Sequence, residues 1–578
     1  MSSALANQAK QQYAAGRHAQ ALQILVDAPT LQGDDEALQL LALVAIQLGQ
    51  GARALQAIDE ALAIRPDAAR VHALGAAVAQ ASGDAERAGR MAQRAVALDP
   101  GEEIAASILV EHLADRFAIT PALQVAQACL QRKPTAWGVR QARSLAWMSA
   151  GEAQRALEDV EATLAAMPGS LPVLQNAAMD ALYLDEPARR TLDRHRAVAS
   201  RIQALTGKRM SARSPYARGS RPLRVGFVSP DLRRHPVGLL MAPLVRHLDR
   251  QRIHAIAYSD AGRDAHGDSL RQSFAEWRDS KGWPDAMLFD AMQRDAIDVA
   301  IDLAGYSSGG RPGLFATRCA PLQLGYLGYL HPTGLPTMDG LIGDAVTLPD
   351  DAQLPAHEAA LRLPGHLFCF QPDQEAPFVL PRGDGPIRFG SFNHLAKLSP
   401  ATVRLWARLL QEAPDASLRM SAMGLGDEGV RNAVWMRFKA EGIDPARIVL
   451  LPPELDTGKF LARYADVDVA LDPLPFNGGM TSLQALWQGA PVLTLPGERM
   501  AARMGASVMQ ALGLDALVAG DADAFIRIGS ELARDLDRLT PLRSGMRERM
   551  SAAGLLDGKA FADGFSTTLE QVVADRMR

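Results

Sequence analysis

Several classes of protein are excluded by what this sequence lacks. Cysteine is scarce: Cys129, Cys319 and Cys369 are far apart and form neither a disulfide framework nor a CxxC metal pair, which suits a reducing compartment. No run approaches the roughly 18 uninterrupted apolar residues of a membrane span. The opening stretch MSSALANQAKQQ has no apolar h-region, so a cytoplasmic protein without membrane association is expected. A basic excess is missing too: the formal net charge is −4, so no strong basic field is present to release counterions from a nucleic acid. Neither HExxH nor GxxxxGK occurs, against a zincin or a P-loop NTPase. What remains is 48% apolar and 22% charged, the composition of a globular protein. At 578 residues, the chain is long enough for about two to four domains.

Residues 1–205 are rich in alanine and poor in strand signals, and they repeat. Pro66, Pro100, Pro134 and Pro168 are each 34 residues apart, as are Ala54, Ala88, Ala122 and Ala156, with Gly49, Gly83 and Gly151 on the same register. That is the period of a helix-turn-helix unit, in which a small Ala lets two helices approach, Gly serves the turn and Pro ends the second helix. Residues 11–32 read as a degenerate first unit with its proline displaced to Pro29. Such units stack into a superhelix whose concave face binds a peptide or protein.

After a linker, residues 206–222, the composition changes. LRVGFVS, HAIAYS, VAIDLAGY, LQLGYLG and GLIGD alternate with helical patterns, and a second series, IRFGSF, SLRMSA, RIVLLP, VDVALDP and VLTLPG, follows the Pro/Gly-rich passage near residue 380. Strands alternating with helices imply two parallel-sheet lobes, 223–380 and 381–578, with a ligand cleft between them at the C-terminal ends of the strands.

The candidate residues follow strands. His235 precedes Pro236, which biases it to extended geometry, and it can be a cap or a base. Asp302, Tyr306 and Ser307 follow one first-lobe strand; His331 and Thr333 follow another, and these four positions, Asp302, Tyr306, His331 and Thr333, are cleft candidates. Asn393, His394 and Lys397 follow the first strand of the second lobe, where a cation beside helix-start amides suits a phosphate. In PFNGGMTSLQALW, Gly478 and Gly479 permit positive φ and close backbone approach, and Thr481 or Ser482 can cap the following helix, whose first-turn amides form an anion site. Asp466 and Asp468 open an apolar strand and are read as structural; Asp260, Asp264 and Asp268 are read as a solvated loop.

Taken together, the repeats and LRVGFVSPDLRRHPVG, AIDLAGYSSGGRPGLFATRCAPLQLGYLGYLHPTG, FNHLAKLSP, LDPLPFNGGMTSLQALWQGAPVLTLPG and ERMAARMGAS resemble the protein O-linked N-acetylglucosamine transferases and their bacterial relatives, over essentially the whole chain. The resemblance implies a tetratricopeptide-repeat superhelix followed by a GT-B fold of two Rossmann-like lobes. It implies transfer of N-acetylglucosamine from UDP-GlcNAc to Ser or Thr hydroxyls of proteins, with inversion, with no cofactor and no metal. The partners it implies are a UDP-sugar donor and a protein or peptide acceptor at the repeats and cleft. By the same resemblance, His235 and Lys397 are catalytic, with Lys397 on the pyrophosphate. His394, Gly478, Gly479, Met480, Thr481, Ser482 and Gln484 contact the donor. Gly479 and Met480 stand where relatives carry His-Thr or Thr-Thr, and Gln484 stands where they place an acid on the ribose. Whether His235, the leaving phosphate or a water takes the proton stays open.

Overall fold

The computed structural model describes residues 2–27, 33–207, 221–373, 375–379 and 381–575. Pro29, most of the 206–222 linker and the lobe boundary at 380 lie outside the described residues. The first compact unit comprises residues up to Ala166 together with Gly426–Val430, and the second comprises the remainder.

The proline register governs the first unit. Helices Gly51–Ile64, Ala85–Leu98, Ile119–Arg132 and Ala153–Ala166 each stop two residues before Pro66, Pro100, Pro134 and Pro168, because Pro restricts the residue before it and cannot extend the hydrogen-bond ladder. Ala54, Ala88, Ala122 and Ala156 are buried where paired helices meet. Gly49, Gly83 and Gly151 take φ of 71°, 82° and 80° in the turns, and at the register position without glycine Phe117 adopts φ 61°. The turn geometry is therefore kept where the residue type is lost, at the expense of left-handed strain in a bulky residue.

Helix runs on to Thr206, as far as the strand-poor sequence does, but packing divides it earlier. Helices Leu171–Ala181 and Ala188–Thr206 belong to the second unit, although they read as part of residues 1–205.

The second unit holds two all-parallel sheets. The first comprises β1 (Leu223–Ser229), β2 (Ile253–Ser259), β3 (Glu276–Asp279), β4 (Val299–Asp302), β5 (Leu322–Gly325), β6 (Gly340–Gly343) and β7 (Ala359–Arg362), in the order β3-β2-β1-β4-β5-β6-β7. The second comprises β8 (Arg388–Ser391), β9 (Ser417–Ser421), β10 (Ile448–Leu451), β11 (Val469–Leu471) and β12 (Val492–Leu493), in the order β10-β9-β8-β11-β12. Their strands are apolar runs rather than alternating ones because helices cover both faces. Each order reverses direction beside its first strand, β1 or β8, and crevices at such switch points bind ligands.

The final helix, Gly558–Asp575, reads as part of the second lobe by sequence but packs on the first. Phe565 lies against Phe227 and Tyr326, and Arg252 pairs with Glu570 at 2.7 Å. Its buried Phe561, Phe565 and Leu569 find their apolar partners there.

Candidate functional site

The segment after β11 is tied down from several sides. Asn477 donates its backbone N–H to Ala501 O (2.8 Å) and its side-chain amide to Pro473 O (2.9 Å). Gly478 donates to Asp472 Oδ1 at 3.1 Å. A Cβ on Gly478 would lie 2.2 Å from Ser482 Oγ, so the position has room only for glycine, whereas a Cβ on Gly479 would meet nothing nearer than 3.6 Å. Neither residue is among those with positive φ. The glycine requirement is one of space at a single position, not of left-handed backbone at two.

Helix Met480–Trp487 begins at Gly479 without a side-chain cap, which corrects the expectation that Thr481 or Ser482 caps it. The Ser482 hydroxyl donates to Asp472 Oδ1 (3.0 Å) and the Thr481 hydroxyl to Asn393 Oδ1 (2.9 Å). These side chains brace the turn from behind. Among the described residues the N–H groups of Gly479, Met480 and Thr481 have no acceptor, which leaves three donors at the positive end of a helix dipole.

Lys397 arrives from the 3-10 turn Leu395–Lys397 after β8. Its ammonium donates to Asn477 O at 2.7 Å and lies 4.4 Å from the centre of the Phe476 ring. Tyr183 stacks on Phe476 at 5.2 Å and 12°. Arg499 holds the segment carrying Tyr183 by donating to Ala181 O, Leu182 O and Leu184 O at 3.4, 3.3 and 2.8 Å. Desolvation lowers the Lys397 pKa to about 8 against the opposing pull of Asp472. A part-buried cation with an incomplete charge balance is poised for an anion.

His394 Nδ1 accepts the Ala396 N–H at 3.2 Å, so the neutral ring carries its proton on Nε2. His394 is exposed, so its ring keeps contact with solvent. Desolvation first, and the Lys397 charge second, lower its pKa to about 4.

In the first lobe, His235 is extended (φ −140°, ψ 152°) and is the N-cap of helix Pro236–His247. Its Nδ1 is 3.3 Å from the Val237 N–H that it accepts and 3.7 Å from Asp231 Oδ2. Desolvation lowers its pKa, with Asp231 opposing and Arg233 assisting. Beside it, Arg234 crosses between the lobes, donating to Asp373 (3.0 Å) and to the Thr457 hydroxyl (2.8 Å). Arg234 also lines a cavity of about 370 Å³ with Phe370, Gln371, Met480, Gln484 and Trp487. Helix Met480–Trp487 thus borders an interlobe pocket.

Asp302, Tyr306, His331 and Thr333 are 2%, 1%, 4% and 6% exposed, and this corrects their reading as cleft residues. Asp302 caps the Ala304 and Gly305 N–H groups (2.9 and 2.8 Å), and the Tyr306 hydroxyl donates to Thr333 O (2.8 Å). The ring of His331 lies 4.2 Å from that of His195 on helix Ala188–Thr206. His195 donates from Nδ1 to Thr191 O (2.7 Å), so its Nε2 accepts the Tyr329 hydroxyl at 2.6 Å. Asp302, His331 and Thr333 line a space of about 10 Å³, no more than one water requires. Gly305 to Gly309 also spells G-Y-S-S-G, but Ser307 Oγ donates to Ala304 O (2.7 Å) within its own turn and not to a histidine.

Residues 180–368 and 374–565 match glycosyl transferase family 41. The chain belongs to this family. The probable UDP-N-acetylglucosamine–peptide N-acetylglucosaminyltransferases SPINDLY of Solanum lycopersicum and Petunia hybrida are 33% and 32% identical to it, over 59% and 60% of its length. The chain spans 38% of the length of each. A solved mutant of the Thermobaculum terrenum O-GlcNAc transferase superposes with a TM-score of 0.74 at 29% identity, covering 95% of this chain and 99% of that one.

Three features of this family 41 site escaped the sequence reading. Asp472 is the buried acid behind the turn, and its signal was an aspartate between an apolar strand and a glycine pair, in VDVALDP. Tyr183 and Arg234 carried no local signal, because their roles depend on partners over 200 residues away: Phe476 for Tyr183 and Thr457 for Arg234. The two acids read as structural behave so: Asp466 and Asp468 each pair with Arg388 at 3.0 Å. The supposed loop acids are more engaged than expected, since Asp264 caps helix Ala265–Ser273 and Asp260 pairs with Arg311 at 2.6 Å. Among the described residues no group of three or more His, Cys, Asp or Glu could hold a metal ion, and no helix is long and apolar enough to cross a membrane.

Proposed function

We propose that this chain is an inverting, metal-independent glycosyltransferase that passes N-acetylglucosamine from UDP-GlcNAc to Ser or Thr hydroxyls of proteins in the cytoplasm. The observation that carries the reading is Lys397, bonded to Asn477 O in the turn that leads to the three unengaged N–H groups of Gly479, Met480 and Thr481, on a helix whose Met480 and Gln484 line the interlobe cavity. The cavity's mixed aromatic and amide walls suit a nucleoside, and the adjoining helix start suits its diphosphate.

In this reaction the acceptor oxygen forms a bond to the anomeric carbon as the bond from that carbon to the diphosphate oxygen breaks. Charge grows on the departing UDP, and Lys397 with the helix N–H groups stabilises it where it develops. Arg234, by bridging the lobes, holds the donor pocket closed around a fixed geometry. His235, accepting the Val237 N–H at Nδ1, carries its proton on Nε2 and can donate there; service as a base requires the other tautomer, with Nδ1–H turned to Asp231.

Thermal unfolding with UDP, GDP and their sugars tests the donor. A ligand at 100 times its Kd stabilises by about 2.7 kcal/mol; a shift with GDP and none with UDP would overturn the assignment. A second reading, transfer of another nucleotide-linked sugar, is favoured by Met480 and Gln484, which present a thioether and an amide to the cavity. The same screen separates the two.

A further inference from the structure

Asp472, directly after β11, is 1% exposed, and its two oxygens are unequal. Oδ1 accepts the Gly478 N–H and the Ser482 hydroxyl, tying the turn to the helix that follows it. Oδ2 is buried, and the group it faces is the Thr494 hydroxyl, whose oxygen is buried and otherwise unpartnered. These two atoms face one point: a Cβ on Gly505 would lie 1.8 Å from Asp472 Oδ2 and 2.6 Å from Thr494 Oγ1.

Lys397 is the charged group that acts on this carboxyl. The surrounding β11, β12 and helices Met480–Trp487 and Met504–Ala511 carry no charged residue. Arg503, just before the last of these, is spent on Val346 O and Gly497 O, and His394 faces Lys397. A buried carboxylate therefore stands behind the turn whose other side offers N–H groups to an anion, and both depend on one lysine. When a diphosphate arrives, like charge is added across that turn, and protonation is the relief open to a desolvated carboxyl. Oδ2 can accept a proton, and pass the resulting O–H to Thr494 Oγ1, without disturbing the bonds that Oδ1 makes.

We propose that Asp472 is a positioning residue of the donor site that holds the turn through Oδ1 and takes up a solvent proton on Oδ2 when the donor's diphosphate binds. The inference rests on the donor assignment above. Burial already raises this carboxyl to about 6, so a modest further push suffices.

Titration calorimetry with UDP-GlcNAc, in buffers of different ionisation enthalpy at about pH 6.5, tests it. The donor's diphosphate diester does not itself titrate there, and Lys397 is already protonated. Wild type is expected to take up roughly half a proton per donor bound. Asp472→Asn, which keeps an acceptor at Oδ1, is expected to bind within a few-fold of wild type with that uptake gone, whereas Asp472→Ala binds at least about tenfold more weakly. His394→Gln is expected to keep the uptake. Equal uptake in Asp472→Asn and wild type overturns the inference, as does donor binding without proton exchange. If the Asn variant does not fold, the pH at which wild-type uptake peaks decides: about 6 to 7 supports Asp472, and a peak above about 8 points to Lys397 and overturns it. Failure of wild type to bind any nucleotide sugar overturns the donor assignment, and this inference with it.

Discussion

Both lobes place polar side chains just beyond the C-terminal ends of parallel strands, and they use them in opposite ways. In the first lobe Asp302, Tyr306 and His331 turn inward and bond to nearby backbone, and His195 packs over the Tyr306 and His331 rings. In the second, Asn477, Thr481 and Ser482 brace a turn from behind, so that its N–H groups and the Lys397 ammonium are left for something else. Position after a strand is common to both. What differs is the cover: helix Ala188–Thr206 packs on the first cluster, while the second borders a cavity of about 370 Å³. The first arrangement is closed and the second is open to a ligand, and substitutions should separate the two.

The largest effect is expected at Lys397. Lys397→Ala should lower the rate of UDP release from UDP-GlcNAc by about 10²–10³-fold, the scale of losing one charge-stabilising donor, with the unfolding midpoint little changed. Full turnover in the variant would remove the residue from its assigned role.

Next come the paired glycines, which separate close approach from mere flexibility. Gly478→Ala forces a methyl to within 2.2 Å of Ser482 Oγ and should weaken UDP binding at least about tenfold and destabilise by about 1–3 kcal/mol. Gly479→Ala, with its nearest neighbour at 3.6 Å, should bind UDP within a few-fold of wild type. Equal losses at both positions would show that flexibility, not space, governs the turn.

The inward cluster should show the reverse profile. Tyr329→Phe strands the buried Nε2 of His195 and should cost about 1–3 kcal/mol in urea unfolding, with UDP affinity unchanged. An altered affinity would join the two regions functionally.

The smallest expected effect is a slope. Glu358, 9% exposed with one oxygen unpartnered, has its pKa raised to about 8, chiefly by burial and then by Asp339. Its folded pKa lies above the unfolded value, so its contribution is complete below the ordinary carboxyl pKa and is lost as pH rises towards about 8. Wild type should therefore lose on the order of 1 kcal/mol per pH unit between about pH 5 and 8 from this group, and Glu358→Gln should not. Denaturant titrations at about pH 6 and pH 7 would show it; parallel slopes would mean that Glu358 is hydrated after all.

Much of this molecule is legible in the chain. The 34-residue proline spacing places the ends of four helices, and Phe117 marks where the register persists after its glycine has gone. The strand runs announce two parallel sheets, and Lys397 and Gly478 could be chosen from local chemistry. Other residues could not. Phe565 belongs to the first lobe because its apolar partners, Phe227 and Tyr326, are there. His331 was chosen for its place after a strand, and nothing near it in sequence announces that His195 will cover it.

Periodicity, turns and strand composition act between residues a few positions apart, and so the repeats, the sheets and the open N–H groups of the Met480 helix start follow from local sequence alone. Which strand-end groups remain open to a ligand depends on what packs over them. Here that means residues far away in the chain, Tyr183 on Phe476, Arg234 on Thr457 and His195 on His331, brought together only as folding buries their shared surface.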